Sequence, residues 1–416
     1  ERGRLWVAYA AWSHGREPRV GVRRLEAGEW SDEVSFDVGY PQMRPVLAAD
    51  RDGVVWVAFS AYVNGGFRVV TAPLAADGAG RLPVELPDDP IEGRQQLFPD
   101  LCIAADGMPW LAWVTFTDVV RDGVVGRQAT LDVARRGLEG WRPTGGPRRF
   151  SVANLDWGML PVETYWGYNG LRYRPQLCAH PHDLWVFWER HRSETSIPEN
   201  VANGQFCGCR YDGSTWGPAQ LIHSGDSCFT IRGLRRLEGE TIEWACRRAP
   251  GAGDEEGDIT FLSTRRSRLT ALAEYPAEAW SDWQPVDLPA AITGPPPPST
   301  ISAPTGEYEL IWGDLHCHSY YSPDAEGEPL ELLLYARDRG ALDFCCIIDN
   351  DYYPNIVLSE SALDYLYAVA QSFDETSMAA FWGYEYTYHE PHEGGRPKNH
   401  RAVVCYERDQ PRSEEH

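Results

Sequence analysis

The sequence predicts two domains of different class: an all-β propeller of at least five blades, followed by part of an α/β barrel. Three observations predict this order. A hairpin with tryptophan on its second strand recurs through the first 290 residues, four consecutive prolines interrupt the pattern at 295–298, and strands then alternate with helices. We place the propeller at residues 1–293, a proline-rich linker at 294–306 and the second domain at 307–416.

The repeated unit is a β-hairpin in which an apolar strand, a tight turn and a second strand follow one another. The clearest second strands are Trp56-Val57-Ala58-Phe59, Trp110-Leu111-Ala112-Trp113 and Trp185-Val186-Phe187-Trp188, with weaker copies around Trp6 and Trp244. The five leading tryptophans are 50, 54, 75 and 59 residues apart. This spacing suits four-stranded blades joined by outer loops of variable length, and it predicts the propeller.

The repeat array resembles the broad sialidase-like class of propellers over about 290 residues. The Ser-x-Asp-x-Gly-x-Thr-Trp box of sialidases is not matched, because the aspartate-rich turns precede the strand tryptophan and carry alanine where the box has Ser or Thr. The resemblance therefore implies an architecture and does not imply sialidase activity.

A long interval between two copies of the repeat holds Asn154–Gly158 and Glu163–Asn169. Long loops on rigid scaffolds often bind ligands, and the aromatic rings and carboxylate here suit stacking on a glycan or a peptide. An ordered loop that packs between blades is the plainer alternative.

Composition excludes two classes of partner. With 61 acidic and 38 basic residues the net charge is −23, so the chain as a whole repels a phosphate backbone and we expect no nucleic-acid partner. No apolar run approaches the roughly 20 residues of a membrane-spanning helix. Glu1 is followed at once by a strand-like Leu5–Tyr9, so we expect the natural start to lie upstream. Compartment, cytoplasmic or exported, and oligomeric state stay open.

The ten cysteines do not form a metal-site pattern. Five of them lie in apolar runs and are expected to be buried free thiols: Cys102, Cys178, Cys345, Cys346 and Cys405. The close pair Cys207-Gly208-Cys209 has no second pair at zinc-site spacing, so it is weak evidence for a metal site.

The strongest functional signal is Gly313-Asp314-Leu315-His316-Cys317-His318-Ser319. The β-prone residues before it favour an extended backbone, in which side chains alternate between two faces. Asp314, His316 and His318 are then expected on one face. Leu315 and Cys317 are expected on the other, against covering helices. Two imidazoles and a carboxylate at the end of a buried strand are costly unless a cation or hydrogen bonds satisfy them, which favours metal binding.

Strands and helices alternate after this motif. Helices are predicted from Pro329 to Ala341 and from about Ser359 to Phe373, and strands at Phe344–Ile348, Ala379–Thr387 and Ala402–Cys405. This order predicts a parallel α/β sheet or barrel, with polar residues gathered at the carboxyl ends of the strands.

The motifs of this region together resemble the PHP superfamily, named for polymerase and histidinol phosphatase domains. They are Gly-Asp-Leu-His-x-His, Ser-x-Asp-Ala, an Asp-centred strand end, Gly-Tyr-Glu and Asn-His-Arg, and they cover about residues 308–408. The resemblance is closest to a bacterial PHP-like family of unknown function. It implies a distorted β/α barrel of seven strands that holds up to three divalent ions and hydrolyses phosphate esters. About four of those strands, and no later Asp-x-His motif, fall within this sequence.

The resemblance implies a role for each matching residue. The implied metal ligands are His316, His318, Asp324, Asp349, Glu385 and His400. The implied catalytic carboxylates are Asp314, which would orient an imidazole, Asp349, and Glu385, which could bridge two ions.

Two features depart from the expected patterns. Asn350 stands where the family motif has histidine, so either one ion site is weaker here or Asp351 and a water compensate. His389 and His392 superficially match a zincin, but the spacing is wrong and Pro391 would break the helix that aligns two such histidines. A lid or an accessory ligand is the weaker interpretation of that loop.

These inferences predict a metal-dependent hydrolase, in the first instance a phosphoesterase, that uses one to three Zn²⁺, Mn²⁺ or Fe²⁺ ions. The propeller would present or select a small-molecule or glycan-type substrate. Two alternatives stay open: a non-catalytic propeller that binds glycan or peptide beside a degenerate second domain, and a propeller glycosidase or lyase that acts through Glu163 and Tyr165.

Overall fold

The structure is a computed structural model that divides into two units. The first comprises Glu1–Ala11, Pro18–Ala249 and Glu256–Asp287, and the second Trp12–Glu17, Pro250–Glu255 and Leu288–His416. The residues that it describes are 4–50, 52–74, 80–87, 94–121, 124–144, 175–180, 183–192, 203–224, 229–238, 241–248, 259–271, 284–286, 299–319, 321–322, 325, 327–351, 358, 360–373, 377–388 and 399–405.

The described residues of the first unit form five sheets, in which most neighbouring strands are antiparallel and most strands of a sheet are consecutive in the chain. The first sheet contains β1 (Arg4–Ser13), β2 (Arg16–Glu26), β3 (Glu29–Trp30), β4 (Val34–Phe36) and, parallel to β4, β8 (Gly80–Leu82). The second contains β5 (Gln42–Ala49), β6 (Val55–Val63) and β7 (Gly66–Leu74). The third contains β9 (Arg94–Ile103), β10 (Pro109–Arg121), β11 (Val124–Gly137), β12 (Gly140–Pro143) and β21 (Gln284–Pro285).

The fourth and fifth sheets repeat this plan. The fourth contains β13 (Gln176–His180), β14 (Asp183–Arg192), β15 (Asn203–Tyr211), β16 (Gln220–Ser224) and β20 (Thr270–Ala271). The fifth contains β17 (Phe229–Glu238), β18 (Thr241–Arg248) and β19 (Ile259–Arg265), which a short 3₁₀ turn at Arg266–Arg268 follows.

The second strands of the second, third and fourth sheets, β6, β10 and β14, are buried on both faces over most of their described side chains. On β6, Val57 and Phe59 pack with residues of the first sheet, whereas Trp56 and Ala58 pack with residues of the third. Successive side chains of a strand point to opposite faces, so one strand fills two layers of core. The tryptophan-led strands thus carry the packing between sheets.

Side-chain hydrogen bonds repeat between neighbouring sheets as well. Gln42 on β5 accepts the Val20 N–H at 3.0 Å, and Gln96 on β9 accepts the Val69 N–H at 3.1 Å. Farther out, the indole N–H of Trp141 donates to Thr71 Oγ1 at 2.9 Å. The first strands of successive sheets also contact one another, from β5 to β9, β13 and β17. This is the arrangement of propeller blades around their inner strands, so the first unit is propeller-like and its five described sheets match the predicted minimum.

A partly buried carboxylate joins two of the inner strands. Asp100 on β9 accepts the N–H of Leu177 on β13 through Oδ2 at 2.5 Å. Burial raises the pKa of Asp100 to about 6, although the N–H groups of Leu177 and Leu101 act in the opposite direction. Beside it, burial raises the pKa of the Cys102 and Cys178 thiols, with a smaller contribution from Asp100.

The second unit contains a hairpin and a four-stranded sheet. The hairpin strands are β22 (Ser299–Ala303) and β23 (Gly306–Leu310), and the sheet strands, in spatial order, are β24 (Gly313–Cys317), β25 (Phe344–Asp351), β26 (Ala379–Tyr388) and β27 (Asn399–Cys405). The first three sheet strands are parallel and β27 is antiparallel to β26. The predicted all-parallel order is therefore wrong at β27, and the described residues form an open sheet, not the seven-stranded barrel.

Two helices accompany this sheet, close to their predicted positions: α1 (Pro329–Asp338) and α2 (Glu360–Gln371). Pro329 begins α1 after a capping box between Glu328 and Glu331, because proline lacks the N–H that a helix start leaves unbonded. Helix α2 turns its apolar side, which includes Leu366 and Val369, inward. No described helix has the length and apolar character needed to cross a membrane.

Residues near β24 depart from two expectations. Residues 299–303, assigned to the linker, form β22. Leu315, expected beneath helices, is 46% exposed, because β24 is an edge strand of the described sheet.

Candidate metal centre

Three side chains from two strands converge on one point. His316 Nε2 lies 3.5 Å from Glu385 Oε1, and His318 Nε2 lies 3.4 Å from Glu385 Oε2. The imidazole rings are stacked, with centroids 5.1 Å apart. One ligand atom from each residue lies within 4.8 Å of the other two, the only such His/Cys/Asp/Glu group among the described residues.

These distances fit a bound cation better than a direct hydrogen bond. Hydrogen bonds of this type are mostly shorter than about 3.2 Å. Two ligand atoms about 2.1 Å from a tetrahedral ion would be about 3.4 Å apart, and each imidazole nitrogen lies at about this distance from one of the two oxygens of Glu385. Two imidazoles and one carboxylate are also the ligand set of several zinc hydrolases. His316, His318 and Glu385 can therefore hold a divalent transition-metal ion.

The two sides of the group differ in burial. The Glu385 side chain is 7% exposed and that of His318 is 12% exposed, whereas that of His316 is 53% exposed. Glu385 is buried because β26 lies between β25 and β27. The open side of the site is therefore the side of His316.

A glycine before Glu385 permits the close approach of β27. A Cβ at Gly383 would lie 1.9 Å from the carbonyl oxygen of Val403. Real Cβ atoms do not approach an oxygen this closely, so any larger residue must push β27 away from β26. Gly383 thus helps to place the strand that carries Glu385.

The Asp314 side chain is not part of the three-residue group. The ladder between β24 and β25 changes register between Asp314 and Cys317, and such a bulge interrupts the alternation of side chains. Asp314 Oδ1 accepts the backbone N–H of His316 at 2.8 Å, and the carboxylate also bonds to the Cys317 thiol. The bulge interrupts the alternation from which we expected Asp314 to share a face with His316 and His318, and the hydrogen bond from the His316 N–H joins Asp314 to the backbone of that histidine.

Asp349 is fully buried at the carboxyl end of β25 and faces two serines. Its Oδ1 accepts the Ser319 N–H at 2.6 Å and the Ser322 hydroxyl at 2.9 Å, and its Oδ2 accepts the Ser319 hydroxyl at 2.6 Å. Burial raises the pKa of Asp349, and the serine hydrogen bonds and nearby His318 oppose this. Sequence reasoning missed both serines, although Ser319 directly follows the second histidine of the motif.

Asn350 lies directly beside Glu385 in the parallel ladder between β25 and β26. Residues paired in this way project from the same face of a sheet, so Asn350 and Glu385 share a face that the neighbouring Asp349 and Asp351 do not. Asp351 is also buried, and its Oδ1 accepts the Leu358 N–H at 2.9 Å.

The remaining predicted residues cannot be placed at the site. Asp324 lies outside the described residues. The backbone of His400 pairs with Thr387 between β27 and β26, while its side chain is outside the described part. His389, His392, Glu163 and Tyr165 lie outside the described residues, together with the loops that contain them.

A pair of thiols lies near the motif without extending the ligand group. Cys317 and Cys345 have their sulfur atoms 3.8 Å apart. Their mutual hydrogen bond, together with burial, raises the pKa of the Cys317 thiol. Metals bind the thiolate, so a protonated thiol is a poor ligand. As predicted, Cys345, Cys346 and Cys405 are buried and free, whereas Cys102 and Cys178 are only partly buried.

Comparison with known proteins gives distant structural likenesses only. No model of a protein family and no curated protein matches the chain. A GH43 endo-arabinanase from Bacillus licheniformis is 14% identical over 64% of this chain and 90% of its own, with a TM-score of 0.31. A B. megaterium levansucrase variant is 9% identical over 69% and 81%, with a TM-score of 0.37. A Hadza microbial sialidase is 12% identical over 65% of each chain, with a TM-score of 0.28. At these scores the likenesses carry no argument about activity.

Proposed function

We propose that this protein is a metal-dependent hydrolase whose ion is held by His316, His318 and Glu385. The observation that carries the proposal is the separation of 3.4 and 3.5 Å between each imidazole nitrogen and one oxygen of Glu385. A divalent ion there would act as a Lewis acid and lower the pKa of water from about 15.7 toward about 7. The exposed side of His316 leaves room for a substrate to approach.

The finer proposal is hydrolysis of a phosphoester by a PHP-like domain. It is supported by the order of motifs from Gly313 to Arg401, which resembles that superfamily, and by the chemistry of two histidines with one carboxylate. Asp324 and His400 are proposed as further ligands on the same resemblance. The propeller-like unit is proposed to present or select the substrate.

Metal analysis of the purified protein tests this proposal. Zn²⁺, Mn²⁺ and Fe²⁺ content is measured after equilibrium dialysis, for the wild type and for His316→Ala with His318→Ala. Hydrolysis of 4-nitrophenyl phosphate, bis(4-nitrophenyl) phosphate and a panel of 4-nitrophenyl glycosides is measured in parallel. We expect at least one ion per chain and phosphoester turnover in the wild type, and the loss of both in the double variant.

A matched control replaces two histidines outside the group, His14→Ala with His223→Ala, and should keep both properties. Less than one ion per chain in the wild type would refute the metal proposal and favour the binding-module alternative. Turnover of glycosides alone, unchanged in the double variant, would place the activity elsewhere and refute the phosphoesterase assignment.

A further inference from the structure

Asp349 has a different environment from the three residues that can hold the ion. It is fully buried, and both of its oxygens accept hydrogen bonds from the turn that follows His318. We propose that Asp349 is a positioning residue, which holds the Ser319–Ser322 turn so that His318 faces Glu385, and that it is not itself a metal ligand. This inference rests on the proposed metal site and assigns a role to the turn beside it.

The acceptor capacity of Asp349 is largely used within the protein. Each carboxylate oxygen has two lone-pair positions. On Oδ1 the Ser319 N–H and the Ser322 hydroxyl occupy both, and on Oδ2 the Ser319 hydroxyl occupies one. The ladder between β25 and β26 also places Asn350, not Asp349, level with Glu385. A ligand role would therefore have to use the one remaining position on Oδ2, on a side chain that does not share the face of Glu385.

The hydrogen bonds of Asp349 form a short connection between two members of the metal group. Ser319 is the residue after His318, so fixing its N–H and hydroxyl fixes the backbone from which the imidazole projects. The Ser322 hydroxyl donates to Asp349 and accepts the Asn350 N–H at 2.7 Å. The Ser322 N–H donates to the Ser319 carbonyl at 2.9 Å, which closes the turn. Strand β25 then pairs directly with β26, which carries Glu385.

Preorganisation of this kind changes affinity without contact to the ion. Groups that orient metal ligands typically contribute about 10–100-fold to metal affinity. Loss of the connection would leave His318 with more orientations, and binding an ion would then have to restrict them. The serines are essential to the inference because neither one belongs to the ligand group.

The test compares Asp349→Asn, the double variant Ser319→Ala with Ser322→Ala, and all three changes together in the full chain. Asparagine keeps the shape of aspartate but replaces one acceptor oxygen by an N–H₂ donor. Zn²⁺ affinity is measured by competition with a chromophoric chelator, and the visible absorption bands of bound Co²⁺ report ligand geometry. We expect about 10–100-fold weaker Zn²⁺ binding and shifted Co²⁺ bands in both variants. The triple variant should be no weaker than the weaker of the two, since all act through one connection.

Ser372→Ala is the matched control, because Ser372 is a buried serine of the same unit whose hydroxyl donates to the Val369 carbonyl at 2.7 Å. It should keep wild-type affinity and Co²⁺ bands. The single variant Ser322→Ala removes one hydroxyl and serves if the double variant does not fold; it should show the same direction of change.

Three outcomes distinguish a failure of the positioning role from a failure of the proposed metal site. No Zn²⁺ binding by the wild type would overturn the proposed metal site. Wild-type affinity and Co²⁺ bands in Asp349→Asn would overturn the positioning role alone. Complete loss of Zn²⁺ in Asp349→Asn, with unchanged affinity and bands in the serine variants, would show that Asp349 is a ligand and would also overturn it.

Discussion

Asp100 gives the propeller-like unit a pH dependence that can be worked out from its surroundings. Its carboxylate is partly buried and bonds from inner strand β9 to β13, and its pKa is about 6 where an unperturbed aspartate has 3.8. At about 1.36 kcal/mol per pH unit, the difference of 6 minus 3.8 corresponds to about 3 kcal/mol. Because the folded pKa is the higher one, the protonated form is favoured by folding. Its contribution to stability is complete below pH 3.8 and is lost as the pH rises through about 6.

Replacement by asparagine removes this titration. The amide oxygen of Asp100→Asn can still accept the Leu177 N–H, while its N–H₂ group adds buried donors that cost about 1–3 kcal/mol at every pH if they stay unbonded. The constant cost cancels when the difference between wild type and variant is followed against pH. We expect the free energy of unfolding of the wild type to fall relative to that of the variant as the pH rises from 4 to 7, by most of the roughly 3 kcal/mol.

The assay is urea unfolding followed by tryptophan fluorescence at several pH values between 4 and 7. Asp212→Asn is the control, because hydrogen bonds from the Thr215 and Ser214 N–H groups lower the pKa of Asp212 to about 2. Its contribution has the opposite sign and is lost only as the pH falls through about 2, below the measured window. Parallel stability curves for Asp100→Asn and the wild type would refute the reasoning from burial.

Two further changes test packing. Gly383→Ala places a Cβ 1.9 Å from the Val403 oxygen, so we expect a loss of about 1–3 kcal/mol by calorimetry and weaker Zn²⁺ binding, whereas Gly217→Ala, with its nearest atom at 3.5 Å, should fold normally. Equal midpoints for both variants would contradict this account of β27. Trp141→Phe keeps an aromatic ring but loses the hydrogen bond to Thr71, which should cost about 1 kcal/mol in urea unfolding. If Thr71→Val lowers the free energy of unfolding equally in the wild type and in Trp141→Phe, the hydrogen bond contributes nothing.

The blade pattern was predictable from sequence because its signal is local. A strand that fills two core layers must be apolar throughout, and Trp56 to Phe59 show this within a few residues. Strands β8, β20 and β21 were not predictable, since they join sheets whose other strands lie elsewhere in the chain. Two or three residues of pairing leave no periodicity to detect.

At the candidate site, the sequence predicted which residues lie near the histidines better than it predicted which way their side chains face. Polar residues at the end of β25 were expected near the histidines, but Asp349, Asn350 and Asp351 are consecutive and cannot all face one way. Which of them faces Glu385 depends on the register of β25 against β26, and register is a property of two strands. The bulge after Asp314 was equally hard to predict from the sequence, because the residues between Asp314 and Cys317 are Leu315 and His316, neither of which is glycine or proline.

The two imidazoles of the candidate site have unequal surroundings, and this follows from their places on the edge strand. His318 lies directly after β24 and is mostly buried beside Glu385. The turn that follows it is hydrogen-bonded to Asp349. His316 lies within the exposed part of β24, where Asp314 restrains only its backbone. His318 and Glu385 thus form the buried side of the candidate site, and His316 forms its exposed side. On the proposed metal site, His316, His318 and Glu385 would hold the ion, and solvent would reach it from the side of His316, because that side is exposed and the side of His318 and Glu385 is buried.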